Sequence, residues 1–127
     1  MDGVAQLIGR YFEIWNERGQ ACRRELIAET WDDEGTLVGP LFRADGADGI
    51  DGIAAGLQEH FTAHEFGLVG TPSAHNDAVR FSWEIAPLSG EPPVAAGVDF
   101  GTLAPDGRIK SIVTFVDLFP AGADAHG

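Results

Sequence analysis

The 127-residue sequence predicts an α+β domain in which three N-terminal helices cover a curved antiparallel sheet. Two observations carry the prediction. As far as His64 the apolar residues recur at three- and four-residue spacing, whereas from Phe66 they recur at every second residue. The resulting order of helix, helix, short strand, helix and then a meander of strands segregates the helices on one face of a bent sheet.

The first helix is expected from about Asp2 to Arg18, because Val4, Leu7, Ile8, Tyr11, Ile14 and Trp15 make one apolar face. Asp2 can cap it and Gly19 can end it. A second helix fits Ala21 to about Trp31, with Cys22, Leu26, Thr30 and Trp31 inward, until Asp32, Asp33, Glu34 and Gly35 break the pattern. Thr36, Leu37 and Val38 read as a short strand stopped by Gly39 and Pro40. In the third helix Ile50, Ile53, Ala54, Leu57 and Phe61 trace one stripe, with Asp48 as its cap and Asp51 in its first turn, ending near His64. Four strands follow, over about Phe66–Gly70, His75–Ala86, Val94–Leu103 and Arg108–Phe119. Ser89 to Pro93 and the turn Ala104-Pro105-Asp106-Gly107 make the last two connections antiparallel hairpins. Residues 1–120 are thus expected to form a single domain. Residues 121–127 lack pattern and read as a flexible tail, so His126 is given no role.

Composition narrows the function. Eight Lys and Arg against twenty Asp and Glu give a net charge of −12, which disfavours nucleic acid and anionic membrane surfaces as partners. No apolar stretch approaches the roughly 18 residues of a membrane span, and the opening residues carry no basic leader, so the expected compartment is the cytoplasm. The single cysteine, Cys22, excludes an internal disulfide and reads as a small buried helix residue.

The segments GRYFEIWNERG, GTLVGP, VRFSWEI, AAGVDFGTL and DGRIKSIVTFVDLF resemble the nuclear transport factor 2-like superfamily, and within it the SnoaL-like and ketosteroid-isomerase-like branches. The resemblance spans nearly the whole chain, but each motif is degenerate and specifies fold more than activity. It implies a cone whose concave interior serves isomerases, polyketide cyclases, epoxide hydrolases, dehydratases and noncatalytic binders.

The resemblance to the isomerases implies that Tyr11 falls at a phenol donor and Asp99 at a protonated carboxyl donor, both facing the cavity. Enolisation builds negative charge on a carbonyl oxygen, and two short hydrogen bonds in a dry pocket stabilise that charge. Desolvation among Val98, Phe100 and core aromatics would keep Asp99 neutral, as in ketosteroid isomerase itself. The same pattern implies a proton-abstracting aspartate just before the proline of the first strand, where this chain has Gly39. The base would then be Asp99 in ionised form, as a SnoaL-like cyclase needs for aldol ring closure, or one of Asp117, Asp32, His64 and His75. Arg80 with Asp117 is similar to part of the machinery of limonene-epoxide-hydrolase-like members, but Ser82 stands where that machinery has a carboxylate. Strand parity also turns Arg80, Ser82 and Glu84 away from the core if Phe81, Trp83 and Ile85 face it.

The aromatic residues are mostly core, with Trp15, Phe61, Phe81 and Trp83 as expected pocket residues. Such walls favour small, flat, apolar, aromatic or polycyclic ligands. No metal is expected: His60 and His64 share a helix face without the glutamate of a hydrolytic zinc helix, and Asp45, Asp48 and Asp51 are spaced by three rather than as calcium-loop ligands. No nucleotide or redox cofactor motif is present in the sequence. Three functions remain: a cofactor-independent cyclase or isomerase of an enolisable ketone, a noncatalytic small-molecule binding protein, and a scaffold module using the convex face of the sheet with Arg80, Ser82, Glu84, Ser111 and Val113. A homodimer fits all three.

Overall fold

At 3.6 residues per turn Leu7, Ile8, Tyr11, Ile14 and Trp15 fall on one side of a helix, and all five are buried. The computed structural model describes residues 2–119, beginning with that helix, α1 (Asp2–Asn16), followed by α2 (Gln20–Thr30), β1 (Trp31–Gly39), β2 (Phe42–Asp45) and α3 (Gly46–His60). Four strands complete it: β3 (His64–His75), β4 (Ala78–Pro87), β5 (Ala95–Leu103) and β6 (Ile109–Leu118). The side chain of Asp2, expected as a cap, is not among those described, and the tail over 121–127 with His126 lies outside the described residues.

The strands form one sheet in the order β2-β1-β6-β5-β4-β3. The sheet is antiparallel as expected in every neighbouring pair except β1 with β6, which run parallel. The chain reaches β6 only after crossing the whole sheet, so this pairing leaves no local trace. On the concave face Phe81, Ile85, Ala95, Leu37 and Ile112 meet α1 and α3, and Phe81 packs edge-on against Tyr11 at 5.1 Å between ring centroids. The hairpins β4–β5 and β5–β6 fall where the turn residues set them.

Other differences have local causes. β1 continues back through Asp32, Asp33 and Glu34 to Trp31, because Arg108 places its guanidinium beside Asp32 and Asp33 and offsets their charge. A register irregularity between Trp31 and Thr36 accommodates this acidic stretch. The strand β2 is too short, at four residues, to show a period. α1 ends at Asn16, whose side chain donates to the Phe66 carbonyl and accepts from the Phe66 amide, and Gly19 precedes α2 rather than closing α1.

α2 shows the largest departure. Its buried residues are Arg23, Ile27 and Thr30, whereas Cys22 is exposed and Leu26 half-buried. A buried ion pair turns the helix: Arg23 Nε donates to Asp51 Oδ1 at 2.6 Å, and Arg23 Nη1 donates to Gln58 Oε1 and the Glu17 carbonyl at 3.1 and 3.0 Å. Asp51 therefore lies inside α3 facing α2 rather than in its first turn. Asp48, in that first turn, is taken by Arg24 instead of capping.

Candidate functional site

Alternation along β5 puts Asp99 on the concave face, directly opposite Phe81 of β4 and Thr114 of β6. Tyr11 descends onto the same point from α1. Its hydroxyl donates to Asp99 Oδ2 at 2.6 Å, and both side chains are buried, at 3% and 2% exposure. Val98 and Phe100 point to the far face, where Phe100 is exposed, so the desolvation of Asp99 comes from Tyr11, Phe81 and Trp83 and not from its strand neighbours.

Burial pushes the Asp99 carboxyl up to about 6, against smaller opposing pulls from the Tyr11 hydroxyl, Thr114 and the Trp83 indole N–H. Burial, then the charge and hydrogen bond of Asp99, hold the Tyr11 phenol well above its ordinary value, with Trp15 pulling weakly the other way. At pH 7 a carboxyl titrating near 6 is about nine-tenths ionised, so in the main it accepts protons. That differs from the neutral donor the isomerase resemblance implies.

Asp99 and Tyr11 open onto a cavity of about 360 Å³ whose walls are Trp15, Phe42, Leu57, Phe61, Phe66 and Trp83 among others. This is the small end of ordinary ligand pockets. Gly52 and Gly56, one turn apart on α3, also line it, and a Cβ at either would meet nothing within 4 Å. The helix therefore presents bare backbone there, leaving width where a larger side chain would narrow the entrance. Phe81 is not part of the lining; it is fully buried behind Tyr11 and Phe12. Glu84, expected on the far face, is half-buried and borders the cavity.

The other candidates are dispersed. Arg80 is exposed on the convex face of β4 and Asp117 is exposed on β6; with β5 between them, two strand spacings of roughly 5 Å each keep them apart, and neither lines the cavity. Asp32 sits beside Arg108 at 4.0 Å and accepts from the Glu34 amide. His75 is exposed where β3 ends, and His64, half-buried, pairs its Nδ1 with the Thr62 carbonyl. Asp45, Asp48 and Asp51 each pair with an arginine, and no group of three His, Cys, Asp or Glu among the described residues is arranged to hold a metal ion. Likewise, no helix among them is long and apolar enough to cross a membrane.

Sequence reasoning missed the role of Phe42. A Cβ built at Gly39 would meet the Phe42 ring at 2.6 Å, so the ring occupies the space a side chain at 39 would need. Glycine followed three residues later by an aromatic residue across a tight turn was the available signal.

Three helices on a curved sheet, with a buried carboxyl among the residues of an apolar pocket, define the cone-shaped α+β class. A solved structure of a candidate isomerase of the SnoaL-like family from Agrobacterium tumefaciens str. C58 is similar to this chain at 32% identity and a TM-score of 0.86, covering 92% of this chain and 99% of that one. The chain belongs to the SnoaL-like family. A candidate SnoaL-like polyketide cyclase from Jannaschia sp. CCS1 (22% identity, TM-score 0.70, 91% and 86% covered) and an NTF2-like protein of unknown function from Exiguobacterium sp. 255-15 (20% identity, TM-score 0.68, 87% and 98% covered) share the fold. No protein-family model and no curated protein matches the sequence.

Proposed function

We propose that this protein is a cofactor-independent SnoaL-like polyketide cyclase or isomerase that enolises a ketone by acid/base catalysis at Asp99. The observation that carries this reading is a carboxyl 2% exposed, titrating near 6, with one oxygen held by Tyr11 and the other without a partner. A general base works best when its pKa lies near the operating pH. The Asp99 carboxylate takes a proton from the carbon next to the substrate carbonyl; the C–H electron pair becomes the enolate double bond, and the carbonyl π pair moves onto oxygen. An isomerase returns the proton to a second carbon, and a cyclase lets the enolate carbon attack a second carbonyl in the same molecule. Tyr11 keeps the carboxyl in place and modulates its basicity.

The test is deuterium incorporation from heavy water into the α-carbon of ketones, diketones and polyketide mimics that bind. The rate is expected to rise with pH through about 6 and level off above it, as the carboxyl ionises. A rate that falls through the same range would assign the acid form instead.

A second reading, a noncatalytic small-molecule binding protein, is favoured by one observation: the Phe42 ring fills the position of the isomerase-type base beside Gly39. Binding of these compounds without any exchange would select it. In either case the ligand is small and apolar or aromatic.

The same reading includes a homodimer through the convex face. Phe100, Val113 and Phe115 are exposed there at 44%, 39% and 52%, with the two phenyl rings edge-to-face at 5.8 Å. A two-fold related copy would cover this apolar patch. Sedimentation of the wild type as a dimer and of Phe100→Glu/Phe115→Glu as a monomer is expected; a monomeric wild type overturns the assembly.

A further inference from the structure

Five buried side-chain polar atoms among the described residues lack a hydrogen-bond partner: Arg10 Nε, Thr30 Oγ1, Trp31 Nε1, Trp83 Nε1 and Asp99 Oδ1. Only the last two belong to residues that line the cavity. Burying such groups unpaired is costly, so a pair of them on side chains in the wall of one ligand-sized space marks where a ligand that reaches past the wall surface supplies the missing partners.

Their placement follows from the sheet. Phe81 is paired with Asp99 and Trp83 with Gly97, which makes Trp83 the diagonal neighbour of Asp99 on the concave face, a spacing an aromatic side chain can span. Gly97 lets the indole lie across β5, because a Cβ there would meet Trp83 Cζ2 at 2.7 Å. Cζ2 is on the edge of the ring that carries Nε1, so the N–H edge is the one over β5. The indole N–H lies near enough to the Asp99 carboxyl to favour its ionised form, without making a hydrogen bond of ordinary geometry to it. Tyr11, in contrast, already donates its single O–H to Asp99 Oδ2 and has no second one for a ligand.

We propose that the Trp83 indole N–H and Asp99 Oδ1 form a two-point clamp for a ketone, Trp83 donating to the carbonyl oxygen while Asp99 Oδ1 faces the adjacent acidic C–H. This rests on the enolising reading and names its substrate class. When Asp99 takes the α-proton, the electron pair released moves onto the carbonyl oxygen, and the Trp83 hydrogen bond strengthens as charge develops there. The rest of the ligand meets Leu57, Phe61, Ile53 and Phe42, which offer it no polar partner. The substrate is therefore an uncharged, compact ketone with one polar end and a hydrocarbon or aromatic body. Phosphorylated and carboxylated compounds do not fit this wall or the net charge of −12.

The matched probes are 1-tetralone and tetralin, which differ in the carbonyl. With three tryptophans in the chain, Trp83→Phe identifies one of three indole N–H resonances. In the wild type that resonance should move downfield with 1-tetralone and stay with tetralin. Trp83→Phe keeps a ring over Gly97 but removes the donor. It should bind tetralin within about twofold of wild type, lose a ketone preference of about 5- to 10-fold, and slow α-deuterium exchange by about 10²- to 10³-fold. An unshifted indole, or a ketone preference unchanged in Trp83→Phe, overturns the clamp. A wild type that prefers the ketone through Trp83 yet exchanges no α-hydrogen keeps the clamp and sinks the enolising reading.

Discussion

Asp99→Asn is expected to slow α-deuterium exchange by about 10²- to 10⁴-fold, the usual contribution of a positioned acid/base group, and to make the fold more stable at neutral and alkaline pH. The two effects share one cause. The folded carboxyl titrates near 6 and its ordinary value is 3.8, so the folded state holds the proton more tightly than the unfolded chain. The stability this contributes is fully present below about 3.8 and is lost as pH rises through about 6. A difference of 6 less 3.8 pH units, at 1.36 kcal/mol each, amounts to about 3 kcal/mol. Asparagine avoids that charge and still offers an oxygen to the Tyr11 hydroxyl. Urea unfolding of wild type and variant should therefore show Asp99→Asn gaining up to about 3 kcal/mol at pH 8 relative to the comparison at pH 3.5. Equal pH profiles for the two proteins would mean that Asp99 is not desolvated in solution. A carboxylate kept buried at a cost to stability is consistent with the proposed role of Asp99 as a base.

The second large effect is structural. Asp51→Ala should destabilise the protein by about 3–5 kcal/mol, because Arg23, itself 4% exposed, would remain buried with its principal counter-charge gone. Gln58 and the Glu17 carbonyl keep Nη1 partnered, which places the expected loss nearer the lower figure. Replacing both members, as in Arg23→Met/Asp51→Leu, should recover most of it, since the penalty comes from an unpaired charge and not from a missing attraction. The pH dependence runs opposite to that of Asp99. Burial raises the Asp51 carboxyl, but the hydrogen bonds from Arg23, Gln20 and Arg24 and the Arg23 charge outweigh it and hold the group below its ordinary value. Its contribution is present above the unfolded pKa and lost as pH falls through the folded one. Acid titration of the denaturation midpoint should show this loss in wild type and not in Asp51→Ala. A variant as stable as wild type would assign the pair no net role.

Arg23 also explains what sequence reading can and cannot reach here. The stripes of α1 and α3 and the alternation in β4 to β6 are local patterns, legible because hydrophobic burial imposes them every few residues. The face of α2 is set by an ion pair with a residue 28 positions away, and hydropathy alone assigns that face to Cys22 and Leu26. The parallel contact of β1 with β6 and the four residues of β2 are hidden for related reasons, one being nonlocal and the other too short. In the site, Tyr11 and Asp99 were candidates by family resemblance, and they meet across 88 positions. Trp83 was legible as a wall residue, but the free N–H depends on its lean over Gly97, which no single-sequence pattern reports.

The phenyl ring of Phe42 beside Gly39 has a stereochemical consequence under the enolising reading. Where the isomerase-like pattern places a second carboxylate, this pocket has a hydrocarbon surface, so a bound ketone meets its base from the Asp99 side. Departure and return of hydrogen then use one face of the enolate. Of the two prochiral hydrogens on a methylene next to the carbonyl, one should wash out in heavy water while its partner remains, and a 1,3-shift should be suprafacial.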